Sequence, residues 1–209
     1  APLYLGVTRN YFGVQNNVTR TGYNEDQLVD YNTLNVKFNA GVHYKFTDNL
    51  EGSLNSYFGT GTTVYTGANR YSLRNFKMAQ HKFEMKAKNW MYRAYTIQEN
   101  AGDSYIGDAL GAFINEAWKP SLNTSGGLTS IAASWLPQYM LTFSEGRRSS
   151  LGAFSDAQLH AAARSTADAG RLLPGTKAFD DAARIIKNTS VSKPGGAKFL
   201  DKSDLYAME

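Results

Sequence analysis

Four acidic residues, Glu99, Asp103, Asp108 and Glu116, stand close together along the chain, and paired carboxylates are what glycoside hydrolysis uses: one as acid, the other as base or nucleophile at a set separation. Sequence does not set that separation, and acids near a strand end and a helix start serve as solvated charges or as partners of the helix dipole. His43, His81 and His160 lie far apart without His-x-x-x-His spacing, so no metal centre is expected. Gly59-Thr-Gly61-Thr-Thr63 has the look of a phosphate loop. It lacks the Lys-Ser/Thr ending and falls inside a strand pattern rather than before a helix, where glycine instead relieves crowding. No Gly-x-Ser-x-Gly elbow is present. The expectation is therefore a chain that is not an enzyme, with no catalytic residue and no cofactor. The group best suited to touch a ligand is Tyr65, Asn69, Arg70 and Tyr71, aromatic and polar side chains around one connection; the same tyrosines also suit a packing or girdle role.

The elements that would position those residues follow from composition. Of 209 residues, 42% are hydrophobic and 19% charged, which excludes disorder as a description of the chain. Lys+Arg 22 against Asp+Glu 18 gives +4 with the basic residues scattered, so no nucleic-acid partner is expected. Cys 0 removes disulfides and thiolate metal sites. No window approaches the apolar length of a membrane helix, and the opening APLYLGVTRN lacks the features of a signal peptide. A mean hydropathy of -0.42 leaves membrane β-barrels open, because their strands alternate.

The chain changes character near Tyr105. Residues 1 to 105 hold 11 of the 13 Tyr, 13 of the 16 Asn and 7 of the 24 Ala, which predicts sheet first and helix after. Leu34, Val36, Phe38, Ala40, Val42, Tyr44 and Phe46 alternate with polar residues and glycine through a strand at 33–46. After the turn Thr47-Asp48-Asn49 a second strand runs from Leu50 to about Tyr65, completing a hairpin. Beyond a longer connection, Thr66 to Arg70, a third strand covers about Tyr71 to Ala87; Lys88-Asn89 turns it into a fourth, Trp90 to about Glu99.

In the second half Ile106, Leu110, Phe113, Ile114 and Trp118 form a helical face ended by Pro120. Ser155 with Gln158 forms a capping box opening an Ala-rich helix to about Leu172, and a further helix at 177–187 carries Phe179, Ala182, Ala183 and Ile186 on one face. Residues 121–130 and 190–196 read as loops. Trp118 and Trp135 are expected to anchor the helical segment.

Three features of the strands point to a membrane barrel. They alternate for about ten residues or more, enough to cross a bilayer when tilted. From Leu34 to Tyr44 is roughly 33 Å along a strand and about 25 Å across after a ~40° tilt. Tyr44, Phe46, Trp90 and Tyr92 collect near the short turns, and Tyr57, Phe58, Tyr65 and Tyr71 toward the opposite ends, like two aromatic girdles. Short turns also alternate with longer connections. A soluble antiparallel sheet with one wet face produces the same alternation, so a soluble or cell-surface sheet-plus-helix binding module is the competing reading, with a carbohydrate-active enzyme as a third. Four strands cannot close a membrane barrel, whose smallest examples have about eight. On the barrel reading, the chain is part of a longer protein.

Particular strings carry a resemblance: GTGTTVYTGANRYSLRNF at 59–76, HKFEMKAKNWMYRAYTIQENAGDSY at 81–105, and ALGAFINEAWKP at 109–120. They resemble TonB-dependent outer-membrane receptors of the large, SusC-like type. HAAARSTADAGRLLPGTKAFDDA at 160–182 and DKSDLYAME at 201–209 are similar to the helical insertion of those receptors, and RTGYNEDQLVDYNT at 20–33 to the segment before the strands. The resemblance implies a barrel of about 22 strands with a plugged lumen in the bacterial outer membrane, importing a glycan, peptide, vitamin or metal chelate. Its implied partners are the TonB energy-transducing complex, reached through a plug that this chain does not contain, a possible SusD-like surface lipoprotein, and outer-membrane lipids. The expected organisation is a segment at 1–32 preceding the hairpins, antiparallel transmembrane β-barrel strands at 33–105, and a mostly helical extracellular insertion at 106–209 leading back to the next strand.

Overall fold

The computed structural model describes residues 18–150, 153–199 and 202–208; the start of the 1–32 segment lies outside them. Period-two alternation becomes four long antiparallel strands, β1 (Leu34–Thr47), β2 (Leu50–Thr66), β3 (Arg70–Ala87) and β4 (Met91–Asn100). Two further strands join the same sheet, β5 (Tyr105–Ile106) and β6 (Lys202–Met208), giving the order β1-β2-β3-β4-β6 with β5 paired to the far end of β3. The fold is thus mainly antiparallel sheet with helices, and among the described residues the sheet is open: β1 pairs only with β2, and β6 only with β4. The connection expected to be long is a turn of three residues, closed by Gly67 N–H donating to the Asn69 carbonyl at 3.0 Å. It is no longer than the turn after Ala87, where the Ala87 N–H donates to the Trp90 carbonyl. The expected contrast in turn length therefore rests only on the segment after Tyr105.

The register sorts side chains into two faces. Val42, Leu54, Phe83, Ala94 and Met208 stand side by side across five strands, and Tyr44, Gly52, Met85 and Tyr92 form the next row. The opposite face carries the rows His43, Ser53, Glu84, Arg93 and Lys45, Glu51, Lys86, Met91. Gly52 sits under the Phe46 ring, where an added Cβ would come within 2.8 Å of Cε2. Of one predicted girdle, Tyr44, Phe46 and Tyr92 belong to the apolar side, and Trp90 lies in the turn before β4. The other girdle is split between the faces. Phe58 shares that side, but Tyr57, its chain neighbour, and Tyr65 and Tyr71 fall on the polar side, because adjacent residues of a strand point oppositely.

At the far end β3 contains a bulge. Gly61 pairs with Phe76 but Thr63 with Leu73, so Arg74 and Asn75 together face Thr62. Asn75 takes φ 52°, a conformation asparagine tolerates better than most residues, and its N–H donates to Thr62 Oγ1 at 3.3 Å. Past the bulge β3 exchanges β4 for β5. Gly102, at φ 58°, makes the crossing possible: a Cβ there would lie 2.5 Å from the Asn75 carbonyl oxygen.

The chain divides into two compact units, one formed by residues 29–107 with 187–209 and containing the sheet, the other by residues 1–28 with 108–186. The second is helical, with α1 (Gly107–Trp118), α2 (Gly127–Ala133), α3 (Trp135–Ser150), α4 (Asp156–Ala167) and most of α5 (Lys177–Asn188). Its core packs Trp135, Tyr139 and Phe143 of α3 on Leu159, Ala163 and Ala167 of α4, with Val18 beside them. Trp135 is the anchor expected, 1% exposed, with Trp118 partly buried against the same cluster. The predicted capping box opens α4: Ser155 Oγ accepts from the Gln158 N–H, and Gln158 Oε1 accepts from the Ser155 N–H. The helix stops at Ala167 rather than near Leu172. Asp168 keeps a helical backbone as the C-cap and accepts from Trp135 Nε1 at 2.7 Å, and Gly170 then turns left-handed at φ 79°. The loop expected at 121–130 gives way to α2 at Gly127. The helix α3 has no counterpart in the sequence reading; its Pro137 lies in the first turn, where no N–H is needed.

Candidate functional site

The four residues singled out for ligand contact meet at the turn joining β2 and β3, and the pleat divides them. Tyr65 and Tyr71 are directly opposed across the ladder and their rings stack, with centroids 4.9 Å apart and planes 17° from parallel. Phe199, from the segment returning toward β6, stacks on the far side of Tyr71 at 5.4 Å. Gly67 closes the edge of the stack, an added Cβ falling 3.2 Å from Tyr71 Cε2. Arg70 opposes Thr66 on the other face and donates to its hydroxyl, while Asn69 holds the turn through its carbonyl. The structure thus brings the two tyrosines together and sets Arg70 apart from them. Stacked pairs of this kind contribute about 0.5–1.5 kcal/mol beyond area burial.

The ladder is braced from behind. The Arg74 N–H donates to Ser104 Oγ at 3.0 Å, Asn75 Nδ2 to Asp103 at 2.9 Å, and the Phe199 N–H to the Ser104 carbonyl at 3.1 Å. Arg74 reaches Asp30 at 3.0 Å, and this exposed carboxyl is held below the usual aspartate range by the Asn32 N–H first and Arg74 second. Tyr65 remains 45% exposed, so one ring of the stack faces outward. Phe199 was missed by sequence reasoning. It lies far along the chain from Tyr71, in a string with no periodic or motif signal.

The acidic residues weighed for hydrolysis have separate structural attachments. Glu99 accepts from Ser203 at 3.3 Å and Asp103 from Asn75; Asp108 opens the first turn of α1; Glu116 binds Arg20 at 3.1 Å and caps the Ser121 N–H at 2.9 Å. Each histidine has its own partner as well: Glu51 for His43, Ser56 for His81, and Tyr139 for His160. Gly59 and Gly61 lie inside β2, as expected, and a Cβ on Gly61 would strike Asn35 Oδ1.

The helical unit contains a polar centre that sequence reasoning did not find. Arg20 is almost enclosed, donating to Glu116, to the carbonyls of Lys119 and Asn115, and to Ser121 Oγ. Its guanidinium lies 5.7 Å from the Trp118 ring and 5.4 Å from Trp135. Burial draws its pKa down, and Glu116 opposes that shift. The arrangement joins the 18–28 segment to α1 and leaves little of the charge for a ligand, so its contribution is to local structure. Breaking such a pair from one side typically costs more than its net worth.

Compared with known proteins, the chain matches no family model, no curated protein and no solved structure.

Proposed function

We propose that the chain is part of an outer-membrane TonB-dependent receptor that binds and imports a nutrient. The observation that carries this reading is the sheet's apolar face. Leu34 is 71% exposed, Val42 69% and Phe38 65%, and all three lie on the same side of a strand whose every residue is exposed. In water such a row costs about 25 cal/mol for each Å² left uncovered; soluble antiparallel sheets pack that face on a core. Acyl chains would cover it without any further protein layer.

The opposite face has the composition of a barrel interior, with Glu84 between Arg93 at 2.9 Å and Lys82 at 3.6 Å. Open edges at β1 and β6 leave ladder positions for further strands of the same barrel. The stacked tyrosines at the end of the β2–β3 hairpin are then ligand-side residues, since they share the polar face. TonB, through a plug, and a surface lipoprotein complete the machinery on this reading.

Partitioning tests it. The isolated chain should require detergent or lipid to remain dispersed; a cooperatively folded monomer in plain buffer would favour the soluble binding module and end the membrane reading. In the intact parent on cells, a protease site inserted at Gly126 should be cut and one at Asp48 protected. The reverse pattern would invert the topology.

A further inference from the structure

The polar face of the sheet carries more positive charge than it pairs. Near the turns that join β1 to β2 and β3 to β4, successive rows place Lys45, Glu51 and Lys86 side by side, then Glu84 beside Arg93, then Lys82. Four fixed cations thus surround two carboxylates. Glu84 is engaged by both Arg93 and Lys82, and Glu51 turns toward His43, with 3.3 Å between Oε1 and Nδ1. Lys45 and Lys86 are exposed and make no ion pair among the described residues. Beside Lys82 and Arg93 lies a shallow hollow of about 330 Å³, which Gln80 and Tyr95 also line.

We propose that this face, centred on Lys45, Lys86, Lys82 and Arg93, is a docking surface for an acidic segment of polypeptide. Charge complementarity selects the sign of the partner: Lys45 and Lys86 flank a carboxylate already directed elsewhere, and beside the Glu84 pairs the hollow adds the amide of Gln80 and the phenol of Tyr95 as donors to a carboxylate. The interspersed Glu51 and Glu84 select its class. They repel an unbroken row of phosphates, as in a nucleic acid, whereas a peptide with spaced acidic residues can place uncharged positions opposite them. Anionic lipid is disfavoured because these residues stand on the side away from the apolar face. The inference rests on the register, ion pairs and hollow of the polar face and holds whatever covers the apolar one.

The test is binding of a fluorescein-labelled peptide carrying Glu at every third position, measured by anisotropy on the full chain in whatever medium keeps it folded. Binding should saturate, weaken as salt rises to about 0.15 M, where the Debye length is about 8 Å, and vanish for the same peptide with Gln in place of Glu. The double variant Lys45→Gln/Lys86→Gln should lose affinity by between about twofold and about thirtyfold, as two exposed charge pairs would. Lys77→Gln removes one like charge from the other face, opposite Thr60, and should leave binding unchanged; circular dichroism of each variant reports whether the sheet is retained. The proposal is overturned if Lys77→Gln weakens binding as much as the double variant, if a single-stranded oligonucleotide of the same length binds more tightly than the peptide, or if no saturable binding occurs.

Discussion

The two units satisfy their apolar side chains in opposite ways. In the helical unit Trp135, Tyr139, Leu159, Ala163 and Ala167 are closed off by one another, and even glycine is used for approach: a Cβ on Gly146 would lie 2.8 Å from Leu159 Cδ2. In the sheet Leu34, Val36, Phe38 and Val42 are as apolar and as regularly spaced, yet they stay uncovered. The difference teaches that hydrophobic pattern specifies a face, not what covers it. One helical face found another within the same chain. The sheet face calls for something outside the described residues, and acyl chains are our proposal.

Truncating the closed core should have the largest effect. Trp135→Ala removes a side chain that also donates to Asp168, and should cost about 3–5 kcal/mol in denaturant unfolding. A loss under about 1 kcal/mol would mean that α3 and α4 do not form an independent core.

The open face gives the sharper contrast. Phe38→Arg should cost about 2–4 kcal/mol in a bilayer, since Phe38 lies on the apolar face about midway between Leu34 and Tyr44, measured by reversible unfolding from vesicles. Asn55→Arg, on the polar face, should be nearly neutral. Equal small effects at both positions would show that the two faces see the same solvent and would remove the lipid assignment.

The bulge comes next in effect. Gly102→Ala puts a Cβ against two backbone carbonyls at positive φ and should cost about 1–3 kcal/mol, with hydrogen exchange rising first at Tyr71 and Ser72, the residues that pair with β5.

Tyr139→Phe deletes the hydroxyl bonded to His160 and should cost about 1 kcal/mol. It also tests a pH dependence. Burial raises the Tyr139 pKa, although Arg164 pulls it down. A raised folded value favours the protonated phenol, so stability is intact below the ordinary tyrosine range near 10 and is lost as pH rises through the folded value. The variant should flatten that alkaline loss.

The smallest effect belongs to Asp181, whose exposed carboxyl is held below its ordinary value by hydrogen bonds from Lys177 and then Arg184. Its contribution is present above the usual aspartate range and fades as pH falls through the lowered value. Asp181→Asn should remove that acid dependence from the helicity of α5 while leaving the sheet unchanged.

Much of the local structure was legible in the sequence because it depends on near neighbours. Alternation from Leu34 to Phe46 predicted β1 to within a residue at each end, and Ser155 with Gln158 predicted the start of α4, since a cap is a contact three residues long. Nothing in the sequence reading marked α3, and α4 ends early at the left-handed Gly170, a local stop that the alanine run around it masked. At the candidate site the pairing of Tyr65 with Tyr71 follows from a hairpin, but the bulge that sets its register does not.

By itself, then, the sequence determined periodicity: the four long strands, the helices α1, α4 and α5 to within their ends, and which side of each strand is apolar. It also determined the amount of charge, but not its pairing. Only the tertiary structure decided that Phe199 completes the Tyr65–Tyr71 stack, that Arg20 sits between Trp118 and Trp135, and that Lys45 and Lys86 are left flanking Glu51. Apart from Lys45 with Glu51, which the first hairpin brings together, those contacts join residues far apart in the chain, and their energies depend on distances of a few ångströms that no spacing along a polypeptide encodes.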